Sequence, residues 1–377
     1  MLDLDFTEEQ DMLRDLVRGL CEQYAPEEVV RRYEDDPIGY PPELWQRFAE
    51  LGLLGLMLPE EHGGAGSSLL DGVVVYEELG RALAPVPHLE SCVLSAGVLV
   101  EAGSPEQQAT WLPRIAAGTA VVVPAWLEPG NGYRPRGVQL TARPEGPGFV
   151  LDGSKMHVRF AAAADRLVVL ARTGPGDTDI DLFLVDPASE GVVMDQRLSV
   201  ASDTQYRVDL AGVRVAASDR IGPPNSGWST WSRVMEDAMV LVAAQANGGA
   251  ERALEMTVQY SKDRVQFGKP IGSFQALSHA MADARTAVDG SKLLTYEAAW
   301  ARSTGRPPAR LAPMAKLFAG DTYRQVTAMA QQIFGGVGFT LEYAIQLYFR
   351  RAKLLQMSWN DSRRCEELVA AAVLDVA

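Results

Sequence analysis

Two stretches of this 377-residue sequence carry residue types arranged for ligand chemistry. The first runs Arg264-Val265-Gln266-Phe267-Gly268-Lys269-Pro270 and continues to Phe274-Gln275. A guanidinium, an aromatic ring and two glutamines in that order suit a diphosphate and a stacked ring. The second, Gln332-Ile333-Phe334-Gly335-Gly336, pairs glycines that let a backbone approach a ligand closely. Each stretch also reads as a helix-connecting turn with solvated polar side chains. The sequence has no P-loop, no G-x-S-x-G, no H-E-x-x-H and no C-x-x-C, which removes the commonest phosphate, serine, zinc and dithiol chemistries. His62, His88, His157 and His279 are too dispersed to suggest a metal site. Gly335-Gly336-Val337-Gly338 lacks the last glycine of a dinucleotide fingerprint and lies between helical segments, not after a strand.

The elements that must position these residues fall into three parts, predicted at 1–119, 120–223 and 224–377. Thr7-Glu8-Glu9-Gln10 is a capping box. It opens a helix whose apolar residues Met12, Leu13, Leu16, Val17 and Leu20 share one face. Ser104-Pro105 supplies another helix start. From about 120 the period shortens: Val121-Val122-Val123, Leu167-Val168-Val169-Leu170 and Val208-Asp209-Leu210 lie between Gly- and Pro-rich turns. This pattern predicts a compact antiparallel β domain. After Pro223-Pro224 the helical period returns, with a mostly buried helix around Met235–Thr257 and Pro307-Pro308 separating two further helical segments. The fold class is therefore α+β: an all-α domain, a β domain, and a C-terminal helical domain read as a four-helix bundle.

The length exceeds what one ordinary core serves. The formal charge of −14 argues against nucleic-acid binding. Three scattered cysteines point to a reducing compartment. The acidic N-terminus does not read as a signal peptide, and no apolar run approaches the ~18–20 residues of a membrane span. A cytoplasmic protein is expected.

Together the motifs resemble the acyl-CoA dehydrogenase family along essentially the whole chain. Leu58-Pro59-Glu60-Glu61-His62-Gly63-Gly64 is similar to its P-E-x-x-G-G turn, and Ala125-Trp126-Leu127-Glu128-Pro129-Gly130 to its A-x-T-E-P strand end. Asp152-Gly153-Ser154-Lys155 is similar to its N-G-x-K turn. The two C-terminal stretches are close copies of its two signatures there. The resemblance implies FAD bound at a subunit interface. Arg264, Phe267, Gln275, Gln332, Gly335 and Gly336 would hold the adenosine and diphosphate half of a neighbour's cofactor. It also implies oxidation of an acyl-CoA thioester, in which a glutamate takes the α proton while the β hydrogen leaves as hydride to the flavin.

Against that pattern the chain departs at the reacting end. The family's usual glutamate position falls on Trp359, and the alternative one, counted back from Gly248 and Arg252, falls on Ala238. Neither side chain can accept a proton from carbon. Glu236 and Asp237 are near Ala238 in sequence but point elsewhere around a helix. Four family contacts to the flavin are replaced as well, by Leu127, Tyr133, His157 and Arg159. The chain thus resembles the non-catalytic subunit of the actinobacterial heterotetrameric dehydrogenases that act on CoA thioesters of steroid side chains. Expected partners are a catalytic subunit, in an α2β2 arrangement, and an acyl-CoA with a bulky acyl group. FAD would be shared at the interface with that subunit, and the chain alone would be inactive. The competing expectations are a self-sufficient homotetrameric dehydrogenase with its base moved to Asp361 or Glu342, a flavoprotein oxidase or hydroxylase of the same fold, and an acyl-CoA-holding scaffold without flavin.

Overall fold

The computed structural model describes residues 6–306 and 309–374; the Pro307-Pro308 break lies outside them. Helices α1 (Glu8–Tyr24), α2 (Glu27–Arg32), α3 (Pro42–Glu50), α4 (Leu69–Arg81), α5 (Ala96–Ala102) and α6 (Pro105–Ala116) come first, with a π-helical turn at Leu89–Ser95. Strands β1 (Val122–Ala125), β2 (Thr141–Glu145), β3 (Gly148–Arg159), β4 (Arg166–Arg172), β5 (Ile180–Val185), β6 (Val192–Gln196), β7 (Gln205–Ala216) and β8 (Arg220–Ile221) follow. The 37-residue helix α7 (Gly227–Asp263) leads into the short strands β9 (Val265–Gln266) and β10 (Lys269–Pro270). Helices α8 (Gln275–Ser303), α9 (Leu311–Phe334), α10 (Ile345–Met357) and α11 (Ser362–Leu374) complete the described chain. None of the described helices is long and apolar enough to cross a membrane.

Local sequence explains the helix starts. Thr7, Ser68 and Ser104 each form a full capping box, with Gln10, Asp71 and Gln107 as the reciprocal partners. These boxes satisfy the first amides of α1, α4 and α6.

Contacts divide the chain into two units. One comprises the chain up to Val30, Ser68–Ala84 and the chain from Met239 onward. Here α4 crosses α7 at backbone-to-backbone range. A Cβ on Gly80 would lie 1.9 Å from the Gln245 carbonyl oxygen, and one on Gly248 would lie 1.8 Å from that of Glu77. Only glycine permits that crossing. Arg18 forks onto Glu78 at 2.8 and 3.0 Å, fixing α1 on α4.

The other unit holds 31–67 and 85–238. Its sheet runs β6-β7-β3-β2-β4-β5-β8, with β1 paired to β4. Most pairings are antiparallel, as expected. Two are not: β1 lies parallel to β4, and β2 meets β4 in parallel at Thr141 and Arg172. The β2–β3 hairpin intervenes between β1 and β4, so the chain returns to β4 in its original direction. Strands β1, β4 and β5 are wholly or largely buried. That follows from strands covered on both faces.

Candidate functional site

In the helical unit, the end of α7 and the end of α9 meet. Tyr260 stacks on Phe334 with centroids 4.2 Å apart and planes 14° from parallel. Its hydroxyl donates to the Phe334 carbonyl at 3.4 Å. Arg264 directly follows α7 and anchors the hairpin, its N–H donating to the Tyr260 carbonyl and its carbonyl accepting from Ile271 N–H at 2.8 Å. Between β9 and β10 the turn residues Phe267 (φ 52°) and Gly268 (φ 76°) are both left-handed, the geometry of a tight hairpin turn that matches strand twist. Phe267 is 91% exposed and meets the Phe274 ring edge-on at 6.1 Å. Lys269 Nζ sits 4.3 Å above Phe274. Gln275 begins α8, exposed. On either side of Phe334, Gln332 and Gly336 are exposed. Gly335 adopts φ 65°, ψ −141°, a backbone state essentially reserved for glycine. The six residues therefore lie at the hairpin, on the first residue of α8, and on the last turn of α9 and the turn that follows it, with the hairpin and α9 ends tied together by the Tyr260–Phe334 stack.

The two positions expected to lack a base are filled by packing. Ala238 is fully buried on α7, and Trp359 is 5% exposed. Trp359 (φ 54°) and Asn360 (φ 72°) form a left-handed pair after α10, a rare state for a bulky side chain. Lys316, unremarked in the sequence, fixes this turn from below. Its Nζ donates to the carbonyls of Leu355 at 2.8 Å, Asn360 at 3.2 Å and Gln356 at 3.4 Å. Burial drives its ammonium down to about 8. The visible signal was a lysine on the alanine face of α9, between Ala312, Ala315 and Ala319. Asp361 accepts from Arg364 N–H at 2.8 Å and caps α11. Glu342 is exposed in the turn before α10.

In the β-containing unit, Glu128 is held by its own interior. It receives Lys155 Nζ at 2.7 Å and the N–H groups of Gln139 and Leu140 at 2.9 Å each. Burial pushes Lys155 down to about 8, against the opposing pull of Glu128. Glu128 and Lys155 thus hold the strand end together. Leu127 is half-buried, and its carbonyl accepts from Met156 N–H at 2.8 Å. Tyr133 packs on Trp126 at 5.8 Å, and Trp126 on Trp231 at 5.2 Å. His157 is left-handed (φ 55°), with Nδ1 2.5 Å from Gln205 Oε1, so Nδ1 carries the proton. Arg159 turns inward to Glu90 Oε1 at 2.9 Å and Asp203 Oδ2 at 3.2 Å. Glu90 and Asp203 carried no sequence signal, because pairs so distant in the chain are set by topology alone.

Comparison with known proteins agrees with this architecture. The family patterns of the acyl-CoA dehydrogenase N-terminal, middle and C-terminal domains match residues 7–119, 125–210 and 225–358. The acyl-CoA dehydrogenase IpdE2 of Mycolicibacterium smegmatis is 34% identical, over 92% of this chain and 93% of its own length. A chain of the ChsE4-ChsE5 complex of Mycobacterium tuberculosis superposes with a TM-score of 0.90 at 28% identity, over 100% of both chains. A chain of the Tcur3481-Tcur3483 steroid ACAD does so with a TM-score of 0.87 at 30% identity, over 98% of each. With all three domain patterns matched in order along one α+β chain, the protein belongs to the acyl-CoA dehydrogenase family.

Proposed function

We propose that this chain is the non-catalytic subunit of a cytoplasmic, heteromeric, FAD-dependent acyl-CoA dehydrogenase, its three domains at 1–119, 120–223 and 224–377. In this reading it joins a catalytic subunit as α2β2, and the complex desaturates a CoA thioester with a bulky, steroid-like acyl group. The family is an oxidoreductase family whose members use FAD. FAD, when bound, supplies the hydride acceptor.

The residues fit that cofactor at one end only. Arg264, Phe267, Gln275, Gln332, Gly335 and Gly336 present a guanidinium, a ring, two amides and a bare backbone to the outside. That donor set suits a diphosphate and an adenine lent to a neighbouring subunit. At the ring end the fit fails. Arg159 is committed to Glu90 and Asp203, His157 to Gln205, and Tyr133 to Trp126.

The single observation that carries the proposal is the absence of a proton acceptor at both base positions, Trp359 and Ala238, each buried by packing. The relocated-base alternative is weakened because Asp361 is spent as a helix cap. Similarity to chains of a two-component complex and of a steroid dehydrogenase supports the partner and the substrate class. The test is the flavin-to-polypeptide ratio of the natively co-expressed protein. One flavin per two chains is expected, and one per chain, with turnover by this polypeptide alone, overturns the proposal.

A further inference from the structure

We infer that Arg159, clamped between Glu90 and Asp203, is a built-in plug occupying this chain's own flavin-ring position, so that the subunit folds with no flavin of its own. The inference rests on the non-catalytic reading above and adds a device to it. Arg159 is the last residue of β3, and its side chain is 13% exposed, against 1% for Glu90 and 5% for Asp203. A guanidinium so placed persists only because its carboxylates are there, since a lone buried charge costs several kcal/mol.

Three backbone irregularities converge on the clamp. The β3–β7 register shifts between Lys155 and Val158. His157 and Phe160, on either side of Arg159 near the strand end, are left-handed at φ 55° and 56°. Glu90 projects from the π-helical turn Leu89–Ser95. Bulges, strained residues and π-turns gather where a fold makes room for something. Here the clamp fills that room. The Arg159 guanidinium also lies 5.4 Å over the Phe160 ring, and Gln205 ties down the neighbouring His157. A close-packed interior cannot hold a planar tricycle in the same volume.

The protein, as it purifies with any partner, provides the test. Lumiflavin is used as the probe, because it is the ring alone and needs no nucleotide grip from a neighbour. Binding is read by equilibrium dialysis and stability by urea denaturation, for the wild type, Arg159→Thr and the triple variant Arg159→Thr/Glu90→Gln/Asp203→Asn. The wild type is expected to take up no lumiflavin beyond any site already filled. Arg159→Thr alone leaves two buried carboxylates facing each other, and its folding constant is expected to fall at least tenfold. The triple variant is expected to regain stability and bind about one further lumiflavin per chain, at least tenfold more tightly than wild type. A stable Arg159→Thr protein overturns the plug, as does a folded triple variant that binds no more lumiflavin than wild type. In either case, one FAD per two chains would leave the non-catalytic reading standing. One FAD per chain in the wild type overturns both.

Discussion

Lys316→Met is the perturbation whose consequence is best defined. The wild-type ammonium is buried on every side, with three backbone carbonyls as acceptors. It titrates near 8 when folded, against 10.5 when solvated. Between those values the unfolded chain binds a proton that the folded chain does not, so stability rises with pH across that window. A gap of two to three pH units corresponds to about 3 kcal/mol. At pH 7 both states hold the proton, and the fold bears the full cost of burying it. Removing Lys316 there relieves about 3 kcal/mol of desolvation. It also strands carbonyls at the α10 terminus, at about 1–3 kcal/mol each. With three carbonyls involved the loss equals or exceeds the relief, so the variant should be about 0–6 kcal/mol less stable than wild type at pH 7. By pH 10 most of the wild-type gain has accrued, while the variant has none of it. Denaturation followed by tryptophan fluorescence, with Trp359 next to the affected turn, should therefore give stability curves that diverge by about 3 kcal/mol between pH 8 and 10.5. The buried Cys365 thiol, pushed up to about 11 by its own burial with Lys316 pulling the other way, works in the opposite direction in both proteins, and losing Lys316 can only push it further up and so widen the divergence. Parallel curves would refute the reasoning.

Three further outcomes are expected. Trp359→Glu restores a carboxylate at the family's usual position but leaves Leu127, Tyr133, His157 and Arg159 in place; the chain alone should still not reduce a dye with acyl-CoA, and any turnover would sink the ring-end argument. Arg264→Ala and Phe267→Ala touch exposed side chains, so stability should stay within about 0.5 kcal/mol. Retention of FAD by the co-purified complex should nevertheless weaken roughly 10–100-fold, as loss of a charge-assisted bond implies, measured by dialysis against flavin-free buffer. Glu128→Gln keeps an acceptor for the Gln139 and Leu140 N–H groups but strands Lys155, which is completely buried. About 3 kcal/mol should be lost at pH 7, and a loss below about 1 kcal/mol would mean that water reaches the pair.

The parts of this molecule legible in the sequence are those with local causes. The capping box at Thr7 and the Ser104-Pro105 helix start announce α1 and α6 because the residues of each signal lie within four positions of one another. The apolar runs of β1, β4 and β7 and the turns between them are equally local. Non-local pairing is different in kind. Nothing near Arg159 in the sequence announces Glu90 or Asp203, and nothing near Trp359 announces Lys316. Each depends on the path of the sheet or on the packing of α9 against α10. Parallel alignment of β1 with β4 was hidden for the same reason, since strand direction follows from what intervenes. The Asp361 cap also has a local cause, since its partner, Arg364 N–H, is three residues away.

The hairpin at 265–270 gives this reading its energetic sense. A turn with two left-handed residues is served best by Asn-Gly, yet position 267 carries phenylalanine at φ 52°. Holding a bulky residue there costs of the order of 1–3 kcal/mol. Leaving its ring in water forgoes a further ~1.5–3 kcal/mol of burial. Phe339 and Leu341, beyond the Gly335 turn, are likewise more than two-thirds exposed. In an isolated chain the strained backbone is a net loss of stability that Asn at 267 would remove, while the ring, in water whether the chain is folded or not, contributes almost nothing. These choices make sense when another surface covers the ring. At Trp359 the choice runs the other way: a left-handed residue is again bulky, but it is buried, so packing offsets the strain within the chain itself. A subunit whose interior is complete where chemistry would occur, and whose surface is incomplete where a neighbour's nucleotide would lie, should release part of that deficit on assembly. Phe267→Asn should therefore stabilise the isolated chain by about 1 kcal/mol or more while weakening its association with the partner. A substitution that left association untouched would mean that the ring is not covered there.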